Sequence, residues 1–184
     1  MFSGQDSDPA SFDFLSRWQL SVPLETVWDA LIDFNSWPEW WPGLQSVVET
    51  AEGDADGIGQ RASSRWRGPI GYSIEFEIET VKREYLRCLK GRATGELSGS
   101  GTWNISPVAD LENPDRTWTQ IAYEWHVIAT KKWMQLLNPV ARPVFVYSHD
   151  HVMERGANGL AEYLGCDIRG FATGEEARVR SESR

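Results

Sequence analysis

No apolar run in this 184-residue chain approaches the ~18 residues that cross a bilayer as a helix, so a membrane-spanning protein is not expected. The first residues, MFSGQDSDPAS, offer neither a basic region nor an apolar core of the signal-peptide kind, and a cytoplasmic location is the expectation. Positive charge is short as well. Lys and Arg total 18 against 27 acidic residues, a formal charge of −9, and no Lys/Arg cluster offsets the surplus, which argues against nucleic acid as a partner. Cysteine is scarce: Cys88 and Cys166 match no disulfide framework and no metal-ligand spacing, so free thiols are expected. Of three histidines, His149 and His151 lie about 200° apart on a regular helix, which keeps both imidazoles off one metal. No metal and no cofactor is implied.

What the chain has in quantity is tryptophan. Ten are spread along its whole length, which calls for either a large aromatic core or an aromatic-lined cavity. At this length one domain with a substantial core is expected. Residues 1–10 read as a flexible tail, 11–166 as the domain, and 167–184, charged and without periodicity, as a second flexible tail.

Within the domain, Phe12, Phe14, Trp18 and Leu20 alternate with polar neighbours and predict a half-buried strand, with Ser16 interrupting the apolar set. Pro23 opens a helical stretch in which Val27, Trp28, Leu31 and Phe34 recur at helical spacing, followed by the tryptophan-rich turn SWPEWWPGL. From Leu44 to Ala129 the period becomes two and the interruptions become Gly, Asp, Pro and Asn clusters, an antiparallel meander. Ile74, Phe76 and Ile78 mark one face against three glutamates. Thr119, Ile121, Tyr123, Trp125 and Val127 mark another. Gly99 and Gly101, on the same side as Trp103, allow the sheet to bend.

One long amphipathic helix follows, beginning at Asn138-Pro139 and ending at Gly165, with Pro143 disturbing its first turns. Phe145, His149, Val152, Gly156, Leu160 and Tyr163 share one side, flanked by Val146, Met153 and Leu164; Asp150, His151, Glu154, Asn158 and Glu162 share the other. Gly156 and Gly159 on or beside the apolar stripe suggest a close approach there. The architecture expected is α+β: a curved antiparallel sheet whose concave face is covered by the terminal helix, with space left between them.

Several segments in this order resemble the polyketide cyclase/dehydrase branch of the START-like (Bet v 1-like, SRPBCC) superfamily. They are VWDALIDFNSWPEWWPGL, GELSGSGTWNI, TWTQIAYEWHV, KKWMQLLNPVARPVFVYSHDHVM and GANGLAEYLG. The resemblance implies a helix-grip fold, seven antiparallel strands around a C-terminal helix, and an internal cavity for a hydrophobic or aromatic small molecule. It implies no residue-by-residue catalytic signature, since members share the fold without sharing a reaction.

Candidate site residues come from parity and helical phase. Trp66, Tyr72, Trp103, Tyr123 and Trp125 are assigned to the inner face as stacking surface and polar tips, with Phe76, Phe145 and Met153 as apolar wall; for each, ordinary core is the competing reading. His149 is the one histidine on the apolar helix face and, with Tyr123, the candidate acid/base pair. Arg87 shares parity with Leu89 and is the candidate internal cation. Arg61, Arg65 and Arg67 are read as a solvated stripe, because unpaired buried charge is costly, although a one-residue slip in register would turn them inward. Trp37, Trp40 and Trp41 form either a lid or a structural plug. Three functions stay open: a cavity enzyme of the cyclase/dehydrase kind, a non-catalytic carrier of a lipid, quinone or similar molecule, or an interaction domain with a filled core. A monomer or a homodimer is compatible with all three.

Overall fold

The computed structural model describes residues 11–110, 113, 116–130 and 138–175, and the side chains of 138–141 are not among the described features. The expected tail 1–10, the stretch 131–137 and residues 176–184 lie outside the described residues.

Strand β1 (Ser11–Leu20) buries Phe12, Phe14, Ser16, Trp18 and Leu20 on one face, a strict period of two. Ser16 does not interrupt the pattern; it is as buried as its neighbours. Helix α1 (Leu24–Ile32) begins after Pro23, a one-turn 3-10 helix holds Phe34–Ser36, and the four-residue α2 (Trp37–Trp40) follows. The meander then runs β2 (Leu44–Ala51), β3 (Arg61–Arg67), β4 (Ser73–Glu84), β5 (Cys88–Gly95), β6 (Leu97–Ala109) and β7 (Thr117–Ala129). Helix α3 (Asn138–Tyr163) starts at the expected asparagine and reaches to within two residues of Gly165, whose φ of 62° suits the left-handed stop after a helix.

The sheet holds eight strands, in the order β2-β3-β4-β5-β6-β7-β1-β8, all pairs antiparallel. This corrects the expected seven. The added strand, β8 (Ile168–Glu175), falls in the stretch read as a charged tail and pairs with the outer edge of β1. Its sequence, IRGFATGE, hides its alternation because a bulge sits in the middle: between the pairs Gln19–Arg169 and Arg17–Ala172, two residues of β8 face the single Trp18. Gly170, at φ 64°, supplies the backbone conformation this bulge needs. Beyond it Phe171 packs beside Trp18 at 6.3 Å between ring centroids, and Thr173 pairs with Ser16.

Two basic side chains tie β8 down. Arg169 lies over the Trp118 ring at 3.9 Å, and Arg142 of α3 pairs with Glu175. The larger core cluster joins Trp18, Leu20, Leu31, Trp37, Trp41 and Leu160; a smaller one at the other end joins Phe12, Phe14, Leu97, Val127 and Phe145. Among the described residues no helix is long and apolar enough to cross a membrane. Tyr163, expected on the apolar side, is exposed, while Leu160 and Ala161 of the same turn are buried.

Candidate functional site

Between α3 and the inner face of the sheet lies a cavity of about 130 Å³. It exists because side chains are missing where the pleat points inward. Gly91 and Gly101 are directly paired across β5 and β6, and a Cβ on Gly101 would stand 2.3 Å from the Tyr123 hydroxyl. With Ala93 next to them, this floor leaves room that a row of Val or Ile would fill.

The strands contribute most of the ring-bearing wall: Trp66 from β3, Phe76 from β4, Trp103 from β6, and Tyr123 and Trp125 from β7. Tyr72 also lines the cavity, but from the turn before β4 and not from a strand, where parity has no meaning. Helix α3 adds Phe145, His149 and Met153, one helical stripe. Trp37 and Trp41 close one end. Trp40 does not reach the cavity; it is buried behind them, stacked on Trp41 at 5.1 Å between centroids. Trp41 is fixed further by Nε1 donating to the Val152 carbonyl at 3.0 Å and by edge contact with Trp66 at 5.0 Å.

Arg87 is not in the site. It is exposed in the β4–β5 turn, after Leu86 in a left-handed conformation (φ 56°), and the turn breaks the parity that would have carried it inward with Leu89. Arg61 and Arg65 are exposed too, facing Glu79 at 3.9 Å and Glu75 at 3.4 Å across the outer face. Arg67, also exposed, lines the cavity at its rim. Sequence reasoning passed over two polar lining groups, Thr80 and Ser148. Thr80 continues the alternation of Ile74, Phe76 and Ile78, and Ser148 stands three residues after Phe145, so both had a signal in the spacing.

The electrostatics follow from burial. Desolvation pushes the Tyr123 phenol well above its usual range, and it pushes Tyr72 up as well, with the neighbouring Ser148 hydroxyl holding back part of that rise. Both phenols therefore remain hydrogen-bond donors. His149, 6% exposed, is shifted the other way: desolvation lowers its pKa, against the opposing hydrogen bond and charge of Asp150, and the imidazole is neutral near pH 7. Its ring stacks on Phe14 at 3.7 Å and lies 5.6 Å from Trp125. Nδ1 is 3.1 Å from Asp150 Oδ1, whereas Nε2 is buried without a hydrogen-bond partner among the described residues. Trp37 Nε1, on another residue of the cavity lining, is buried and unpartnered in the same way. Groups of this kind cost stability unless something in the cavity satisfies them.

Comparison with known proteins gives the geometry a context. The family described as polyketide cyclase / dehydrase and lipid transport matches residues 15–165. The chain belongs to this family. Its START-like fold recurs in a START superfamily protein from Mycobacterium smegmatis, with 17% identity, 83% of this chain and 97% of that one covered, and a TM-score of 0.63. A conserved protein from Geobacillus kaustophilus shares 12% identity over 86% of this chain and 99% of its own, with a TM-score of 0.65. The Zhui aromatase/cyclase from Streptomyces sp. R1128 shares 14% over 85% and 94%, with a TM-score of 0.58. At these identities the likeness is one of fold. No curated protein matches the sequence. The family match ends at residue 165, so β8 lies beyond it.

Proposed function

We propose that the protein binds a hydrophobic or aromatic small molecule in the cavity between α3 and the sheet, and that His149 and Tyr123 act on it as base and proton donor in a cyclisation or dehydration. The observation that carries this reading is the pairing of a hollow, ring-lined core with buried polar atoms left unpartnered on residues of its wall. A core that was only structural would cover those atoms or replace them with apolar ones. Its hollowness also weighs against an interaction domain with a filled core.

Size narrows the ligand. The cavity volume is close to the ~150 Å³ that accommodates one benzene in an apolar protein core. The buried part is therefore one ring or a short acyl segment, and any longer molecule extends past the rim beside Arg67. Trp66, Trp103 and Trp125 provide ring faces for stacking, and Tyr72 and Tyr123 provide donors for a carbonyl oxygen. In catalysis a neutral His149 accepts a proton from carbon or oxygen while a phenol supports the charge growing on the carbonyl.

A non-catalytic carrier is the second reading, favoured by the predominantly apolar lining. Native mass spectrometry of the purified protein, followed by organic extraction, tests what both share: a stoichiometric apolar or aromatic molecule is expected, and an empty protein that no such compound stabilises thermally would overturn both. With the extracted molecule in hand, His149→Gln and Tyr123→Phe separate them. Loss of turnover with binding retained supports catalysis; binding without turnover in the unaltered protein supports the carrier.

A further inference from the structure

A line of hydrogen bonds reaches the back of His149 from two strands. Ser16 of β1 and Thr173 of β8 are a cross-strand pair with their hydroxyl oxygens 2.8 Å apart. Thr173 donates to Asp150 Oδ1 at 3.2 Å, and the same oxygen lies 3.1 Å from His149 Nδ1. Because Thr173 gives its proton to Asp150, the bond between the two hydroxyls must be donated by Ser16, which is fully buried. An ionised carboxylate only accepts, so Nδ1 must carry the imidazole proton. Nε2 is then a bare lone pair, and it is this atom, on a residue that lines the cavity, that is buried without a partner among the described residues. Stacking on Phe14 fixes the plane of the ring, and the Asp150 bond fixes which edge turns inward.

The geometry points to Asp150 and Thr173 as positioning residues that hold His149 in the Nδ1–H tautomer, so that the ligand of this cavity presents a hydroxyl or N–H donor to Nε2. The ligand class is thus a small ring or acyl compound bearing a phenol, enol, alcohol or amide N–H at its buried end, and not a pure hydrocarbon or a quinone, which offer acceptors or nothing. This rests on the ligand-binding reading above and adds the identity of one recognised group. Thr173 reaches Asp150 because of the bulge at Gly170. In a regular strand the inner side chain opposite Ser16 would be residue 172, an alanine. Asp150 itself lies on the helix side that the sequence assigns to solvent, and β8 is what meets it there.

Two measurements on the full chain test this. In the ligand-free protein at neutral pH, nitrogen-15 NMR of His149 reads the tautomer directly: a protonated Nδ1 and a pyridine-like Nε2 are expected. Protonation at Nε2, or an averaged pair, overturns the positioning role whatever the protein binds. In Thr173→Val and Asp150→Asn the two nitrogens should move toward averaging, whereas Thr173→Ser, which keeps the hydroxyl, should retain the unaltered spectrum. Identical spectra in all variants would also overturn it, a result that a merely structural hydroxyl predicts. Para-ethylphenol and its methyl ether then serve as matched probes. The phenol should bind about tenfold tighter and shift the Nε2 resonance, the size of one hydrogen bond to a buried acceptor. Equal affinity overturns the donor requirement while leaving ring binding intact. If neither probe binds, the aromatic-ligand reading and the donor requirement fall together, and the tautomer spectrum still decides the positioning role.

Discussion

His149 carries its own pH signature. Burial holds its pKa below the ordinary value near 6.5, so in the acid range the unfolded chain binds more protons than the native one. The sign follows: native stability is fully present above the unfolded pKa and is lost as pH falls through the lowered, folded one. Asp150 on α3 is the charged neighbour acting on the ring; the phenols of Tyr123 and Tyr72 share the cavity, and β1 and β8 bring hydroxyls and the Phe14 ring. Urea unfolding between about pH 7 and 5.5 should therefore show a steeper loss of stability in the unaltered protein than in His149→Gln. Parallel curves would mean that the imidazole is not desolvated as described. Trp103 and Tyr123, which the sequence assigned to the inner face and which line the cavity, lie in mid-strand, where parity is reliable. At breaks parity carries no information. Arg87 is in a turn, and Tyr72 lines the cavity from a turn for reasons that no alternation encodes.

At the scale of elements, α3 and the tryptophan turn approach each other closely. A Cβ on Gly159 would lie 1.9 Å from the Trp40 carbonyl oxygen, and one on Gly156 would lie 2.3 Å from the Trp41 indole nitrogen. An exposed helical Gly→Ala change gains up to about 1 kcal/mol. Here it should do the opposite: Gly159→Ala meets backbone, which cannot swing aside, and the urea midpoint should fall, more than for Gly156→Ala. Trp41→Ala removes a buried indole and should cost ~3–5 kcal/mol, while Trp41→Phe keeps a ring and loses mainly the Val152 hydrogen bond, about 1 kcal/mol. Thermal unfolding of the two variants distinguishes a plug, with this ordering, from a lid, which would tolerate both. The glycines announced this closeness in the sequence, and the period of two announced the meander, although bulges interrupt its β2–β3 and β4–β5 pairs. Strand β8 was not legible. Its inward residues are Ile168, Phe171 and Thr173, a spacing of three and then two, and Arg169 and Glu175 give it the composition of a tail although both are engaged with Trp118 and Arg142.

For the whole molecule, β8 converts β1 from an edge strand into an interior one. Ending the chain after Asp167 removes the packing of Ile168 and Phe171 and the Arg169–Trp118 contact, a loss of about 3 kcal/mol by buried apolar area, or roughly 6–12 °C in melting temperature for a chain of this size. It should also expose the β1 backbone, with Phe12, Phe14 and Trp18 beneath it, to pairing with a second chain, which light scattering on warming would detect. A shortened protein that melts within a degree of the full chain would show that β8 adds no packing.

Gly170 lets β8 accommodate an extra residue in a bulge, and whether that bulge forms determines which side chain faces α3. Gly170→Val, which disfavours the left-handed backbone that the bulge needs, would leave every wall residue of the cavity unchanged, yet regular pairing onward from Arg169 would bring Ala172 opposite Ser16 and turn Thr173 to the outside. A change in one backbone conformation, remote from the ligand, would thereby release the imidazole to either tautomer and make the pocket indifferent to whether its guest can donate a proton.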